Sequence, residues 1–269
     1  MPNWVKAKLI IEGNDASKVM KSLLVKTEED GYRFDFNKIL PMPEELNIVS
    51  GSTTDKCVEI YLASLNPKVK DFGAENKDEK LFYQLRDSAN KVKVFSRYDG
   101  ELSKQEIDAF VEKHKGDEKL NTLEDFINYG KKAIDNTLKF GSMDWYDWCV
   151  KHWGTKWNAC HTEYEETIPN EVIFDTAWSD VRGLIYNLSK MFPNNTFIYE
   201  YAEEQIGLYA GTITIENGNV LEDIEFESGS KEAFEKAFEL WGEDLKNIFK
   251  FNEKTNTYEY HENNEGEMD

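Results

Sequence analysis

The residues most able to do chemistry crowd between positions 144 and 178. Cys149-x-x-His152, followed by Cys160-His161, places four soft or imidazole ligands in a 13-residue window, a spacing that invites a zinc reading. A regular strand through Cys160 and His161 would point the two side chains to opposite faces, so they would not both reach one ion. No metal or other cofactor is therefore expected. Asp144, Asp147 and Asp175 could form a carboxylate set with His152 or His161 for hydrolysis or nucleotide handling. Capping of a helix by Asp144, and partnering of loop or indole N–H groups by the other two, would serve equally well. Pro2 would offer a prolyl amine base if Met1 were removed, although proline is also an ordinary first residue of a strand. There is no Gly-rich phosphate loop, no Gly-x-Ser-x-Gly elbow and no His-Glu-x-x-His pair. No catalytic residue is assigned, and a non-enzymatic protein is expected.

Four of the seven tryptophans, Trp145, Trp148, Trp153 and Trp157, fall in the same stretch. Trp145, Trp148, Cys149, His152 and Trp153 follow helical spacing and share one face. Such a face could stack single-stranded bases, each worth roughly 1–3 kcal/mol. Only Lys151 and Lys156 lie nearby to follow phosphates, so the cluster is read as scaffold that anchors the core.

Elements that could position these residues are legible from periodicity. Trp4 to Gly13 reads as a strand, and Asn14 or Asp15 can cap a helix carrying Val19, Met20, Leu23 and Leu24. An extended stretch from Tyr32 ends at Pro41 and Pro43. Cys57 to Leu65 fits strand or helix. Ser103-Lys104-Gln105-Glu106 is a capping box, Thr122 caps a longer helix, and a third runs from Met143 to Trp153 and stops at Gly154. After a strand at Val172-Ile173-Phe174, Ser179 caps a helix that ends at Pro193. Strands follow at 196–202, 208–215 and 220–226, with Asn217-Gly218 as a hairpin turn. A last helix runs from Ser230 to Ile248, and 252–269 looks loose. The order implies an α+β sandwich, a mainly antiparallel sheet with helices on one face and a helical insertion.

Several blocks resemble a known family. They are Met1-Pro2-Asn3-Trp4, Phe34-Asp35-Phe36-Asn37-Lys38-Ile39-Leu40-Pro41-Met42-Pro43-Glu44-Glu45-Leu46, Trp145-Tyr146-Asp147-Trp148-Cys149, Trp153-Gly154-Thr155-Lys156-Trp157-Asn158-Ala159 and Phe174-Asp175-Thr176-Ala177-Trp178. Together they resemble the YubB-like proteins of conjugative plasmids and phages, over residues 1 to about 211. Val5 and Lys8 stand where that family suggests Cys and Asn, and Asp180-Val181-Arg182 replaces a proline-containing stretch. The resemblance implies a ferredoxin-like domain and a mobile-element setting, and brings no activity. The expected organisation is a ferredoxin-like core over 1–65 and 153–227, a mainly helical insertion over 66–152, and a C-terminal helix with an acidic tail over 228–269.

Charge supplies the functional expectation. The 269 residues carry 52 Asp plus Glu against 32 Lys plus Arg, a net −20, with 13% aromatic residues to build a core. This balance disfavours direct nucleic-acid binding and anionic membranes. No run is long and apolar enough to span a bilayer. Three cysteines suit a reducing compartment, and no secretory signal is visible, so a cytoplasmic location is expected. From Glu200 onward there are 19 acidic and 5 basic residues, so −14 of the −20 lies in the last quarter. On the strand, Asp223, Glu225 and Glu227 would share one face about 6.6 Å apart, with Val220, Ile224 and Phe226 on the other. On the helix, Glu235, Glu239 and Glu243 would form an i, i+4 row of like charge. With Glu222, these form a candidate acidic face that mimics a polyanion toward a basic partner. The expected partner is a host or element-encoded protein, and inhibition of a host defence or nucleic-acid-processing protein is the specific reading.

Overall fold

The computed structural model describes residues 3–28, 31–69, 78–91 and 97–261. Pro2 and the end of the acidic tail lie outside the described residues. In chain order the elements are β1 (Trp4–Glu12), α1 (Ala16–Leu23), β2 (Leu24–Lys26), β3 (Tyr32–Phe34), α2 (Ser52–Leu65), α3 (Glu79–Asn90), α4 (Lys104–Lys113), α5 (Leu123–Phe140) and α6 (Trp145–His152). They continue with β4 (Cys160–Glu163), β5 (Glu171–Ala177), α7 (Arg182–Met191), β6 (Thr196–Glu203), β7 (Ala210–Glu216), β8 (Asn219–Glu225), α8 (Lys231–Trp241), β9 (Phe249–Asn252) and β10 (Thr257–Tyr260). The chain divides into two compact units, Met1–Pro41 with Cys149–Asp269, and Met42–Trp148. Among the described residues no helix is long and apolar enough to cross a membrane.

The first unit is built on a six-stranded antiparallel sheet in the order β4-β5-β1-β6-β7-β8. Strand β1 lies between β5 and β6, and β5 separates β1 from β4. Two split β-α-β units, β1-α1-β4 and β5-α7-β6, therefore interleave, which is the ferredoxin-like arrangement. The β7–β8 hairpin widens the sheet on one side, turning through Asn217 and Gly218 at φ 48° and 71°. Period-two alternation explains the core: Val5, Ala7, Leu9 and Ile11 are fully buried on one face of β1, opposite Phe174, Tyr199 and Tyr201. Helices α1 and α7 cover this face with Val19, Met20 and Leu23, and with Leu184, Ile185 and Leu188.

A further helical layer lies opposite. Helix α8 packs Ala233, Ala237 and Leu240 against Ala202 and Ala210, on the other side of the sheet from α1 and α7. Its start matches the sequence reading, since Ser230 Oγ accepts from Ala233 N at 3.1 Å. Its end does not: Gly242, at φ 131°, breaks the helix, and Glu243–Asn247 form a 3-10 turn. The stretch from 252 read as loose contains β10, which closes a hairpin with β9; Phe249 and Tyr258 of that hairpin pack on Phe234 and Phe238 of α8.

In the second unit the Cys57–Leu65 stretch is helical. Gly130 of α5 lies so close to α2 that a Cβ there would stand 2.0 Å from the Cys57 carbonyl oxygen. Capping boxes at Ser103 and Thr122 start α4 and α5 as read from sequence.

Candidate functional site

The predicted acidic residues occupy two elements of the first unit. Strand β8 carries Glu222, Asp223 and Glu225, and Glu227 follows just beyond it. This strand is the sheet edge, paired among the described residues with β7 alone, and all seven of its residues are exposed. Among the described residues nothing covers either face of this edge strand, and Val220, Leu221 and Ile224 are 50%, 59% and 39% exposed. Partly buried Phe226 does pack against the α8 cluster. A register shift opposite Thr214 and Ile215 leaves Leu221 as the extra residue of a bulge.

The carboxylates do not form a bare anionic row. The Arg182 guanidinium reaches Glu225 at 3.1 Å and Asp223 at 3.7 Å. It also binds Asp180 at 3.1 Å and donates to the Tyr201 and Tyr209 hydroxyls at 2.6 and 2.7 Å. Burial opposes the Arg182 charge, but the Asp180 bond and the surrounding oxygens outweigh it and hold the proton more tightly than usual. Burial, helped by the Asp180 bond, pushes the Tyr209 hydroxyl up to about 12.

On α8, Glu235 pairs with Lys231 at 3.6 Å. Glu239 bridges Lys8 at 3.0 Å and Lys236 at 2.7 Å, while Glu200 meets the same two lysines. Burial works against the Lys8 charge, yet the Glu200 and Glu239 bonds raise it to about 12. The expected three-residue row is broken, because Glu243 lies past Gly242 in the 3-10 turn, where it pairs with Lys246. Among the described residues only Glu222 and Glu227 of the seven show no side-chain ion pair.

The tryptophans take different roles. Trp148 and Trp153 are buried and Trp145 is half-buried. Trp153 Nε1 donates to the Leu40 carbonyl at 2.9 Å, and its ring meets Phe36 edge-on at 5.7 Å. Trp157 is half-buried and lies 6.0 Å from Trp4.

The four proposed acid–base residues divide between the units. Asp144 and Asp147 belong to the second unit, where Asp144 Oδ1 accepts from Tyr146 N at 3.0 Å and Asp147 N at 3.2 Å, capping α6. Burial and the Asp147 charge push the Asp144 carboxyl up to about 6. Asp175 and His161 come together in the first unit, with His161 Nδ1 2.7 Å from Asp175 Oδ2. Lys6 lies 3.6 Å from Asp175 Oδ1 and 3.5 Å from Glu163. Register explains this: β1 and β5 pair Lys6 with Asp175, and β4 pairs Cys160 with Asp175 before its irregularity. His161 has φ 44°, so it departs from the alternation expected of a strand. Cys149 is buried and Cys160 half-buried, and burial raises the Cys160 thiol above its usual range. Among the described residues no three His, Cys, Asp or Glu side chains converge as a metal site.

Sequence reasoning missed Lys6, Lys8, Trp4 and Arg182 as partners of these groups. Each is recruited through strand register or packing from a distant part of the chain, and no local motif marks it.

A family model described as a ferredoxin-like domain in Api92-like protein matches residues 152–244. No curated protein matches the chain. The crystal structure of a protein api92 from Yersinia pseudotuberculosis is similar at 13% identity, over 85% of this chain and 99% of that one, with a TM-score of 0.38. The matched model carries the Api92-like description rather than the YubB-like one. Strand order and family model agree: the segment from 152 to 244, together with β1 and α1, makes a ferredoxin-like α+β fold.

Proposed function

We propose that this protein is a binding module that docks a basic partner protein along the β8 edge. The observation that carries the reading is β8 itself, a sheet edge with all seven residues exposed and three of them aliphatic. Open edges present unpaired backbone groups, and proteins commonly blunt them with charged side chains, proline, a β-bulge or a covering element. Strand β8 contains neither lysine nor proline, and beyond its bulge at Leu221 the Glu222–Glu225 stretch pairs regularly with β7, so its outer backbone edge is straight. Added strands gain affinity from main-chain hydrogen bonds and specificity from alternate side chains. Glu222 lies between Leu221 and Ile224, Glu227 follows the strand, and the net −20 steers a cationic partner toward the molecule.

Polyanion mimicry is thereby narrowed. Five of the seven candidate carboxylates are engaged within the fold, so attraction rests on Glu222, Glu227 and the overall charge. The YubB-like resemblance supports the finer reading: a mobile-element protein acting in the cytoplasm on a host defence or nucleic-acid-processing protein. The test is capture from host lysate with wild type and with Glu222→Lys/Glu227→Lys side by side. A protein retained by wild type, weakened by salt and lost from the double variant is expected. A partner held equally by both, with no dependence on salt, would falsify the reading.

A further inference from the structure

A second constellation in the first unit has a chemistry that protein docking at β8 does not use. Asp175 is a buried carboxylate on β5, its side chain 7% exposed; Lys6 lies 3.6 Å from its Oδ1, and its Oδ2 is given to His161, whose side chain is 64% exposed. Burying a charge is unfavourable unless it is compensated, and packing would be served by an apolar residue at this position. A carboxylate only accepts, so His161 Nδ1 donates to it, and Nε2 is the nitrogen left for a ligand.

The backbone is bent to the same end. The β4 irregularity and the left-handed φ of 44° re-aim His161 toward Asp175. Trp178, directly after β5, is also left-handed at φ 74°. Bulky side chains disfavour that region, and residues held there cluster at ligand sites. His161 and Trp178 flank one aromatic patch. Trp4 lies edge-on to His161 at 5.2 Å and 6.0 Å from Trp157. The Lys156 ammonium sits 4.5 Å from the Trp157 ring and 5.2 Å from the Trp178 ring.

Indole faces suit a flat ring. A protonated imidazole, whose Nε2–H donates outward while Nδ1–H is held by Asp175, suits a compact anion, as does the Lys156 ammonium on the same aromatic patch. We propose that Trp4, Trp157, His161 and Lys156 bind a mononucleotide, its base against the indoles and its phosphate on His161 Nε2 and Lys156. Asp175 is a positioning residue that holds the imidazole. A free mononucleotide fits better than a strand, because a strand would lay many phosphates along a protein of net charge −20.

The test is tryptophan fluorescence and calorimetry with AMP, GMP, CMP and UMP, with adenosine, inorganic phosphate and a short single-stranded oligonucleotide alongside. At least one mononucleotide is expected to bind saturably, and its nucleoside and phosphate each roughly tenfold more weakly, the scale of one charge-assisted hydrogen bond. His161→Ala removes that margin, lowering mononucleotide affinity more than adenosine affinity, and Trp157→Ala weakens both. Asp175→Asn weakens mononucleotide binding and shifts the ring-nitrogen NMR signals of His161. Saturation by none of the four, equal affinity in His161→Ala, or tighter binding of the oligonucleotide at equal phosphate concentration overturns the proposal.

Discussion

Lys8 of β1 and Glu239 of α8 meet at 3.0 Å, and with Glu200 and Lys236 they form a four-member network beneath α8. Lys8 and Lys236 are largely buried, so Glu239 serves the fold before it serves any partner. Replacing it with lysine would place three cations together. Glu239→Lys is expected to cost about 1–2 kcal/mol, less than a fully buried pair because Glu239 stays half exposed. Glu222→Lys, by contrast, is expected to stay within about 0.5 kcal/mol of wild type. Urea denaturation of the two variants separates these outcomes, and equal stabilities would remove Glu239 from its structural role.

Asp144 gives a pH signature. Its folded carboxyl is pushed up to about 6 from a reference of 3.8, chiefly by burial. A raised acid pKa means that the folded state holds the proton more tightly than the unfolded chain. The stability it contributes is complete below about pH 4 and is lost as pH rises through about 6. Asparagine keeps an oxygen for the Tyr146 and Asp147 amides without the charge. Asp144→Asn should therefore gain on wild type between pH 4 and 7, by up to about 2 kcal/mol. Melting temperatures across that range check it, and a gap that stays constant would contradict the assignment.

Gly130 tests the α2–α5 crossing. A Cβ at 2.0 Å from the Cys57 carbonyl oxygen cannot be accommodated by a side-chain rotation, because the obstacle is backbone. Gly130→Ala should destabilise the second unit by about 2–4 kcal/mol, despite the higher helix propensity of alanine. Denaturant unfolding followed by far-UV circular dichroism measures this. A neutral or stabilising result would mean that the helices part easily.

The legible parts of the sequence were those governed by neighbours. Alternation along β1, the Asn217-Gly218 turn and the caps at Ser103, Thr122 and Ser230 need only a few adjacent residues. Ser179 does not cap α7 as its position suggests: its hydroxyl donates to the Gly154 carbonyl, while Asp180 Oδ1 accepts from Arg182 N at 2.8 Å. The end of α8 was overrun because Leu245 and Ile248 continue the apolar period past Gly242. Strands β9 and β10 escaped because each has four residues, too few for alternation to speak. The site was harder still. Lys6 reaches Asp175 only through strand register, and Arg182 reaches Glu225 across 43 positions. The rule that successive strand residues face apart failed at His161, where the backbone turns left-handed.

The most direct test of docking at β8 is site-specific photo-crosslinking in the native host, with the probe at Leu221 or Ile224 and, as control, at exposed Glu112 on α4. A docking edge gives a discrete protein adduct from Leu221 and Ile224, none from Glu112, and loss of the adduct when Glu222 and Glu227 are changed to lysine. Adducts of the same pattern from all three positions, or none from the two β8 positions, would contradict it.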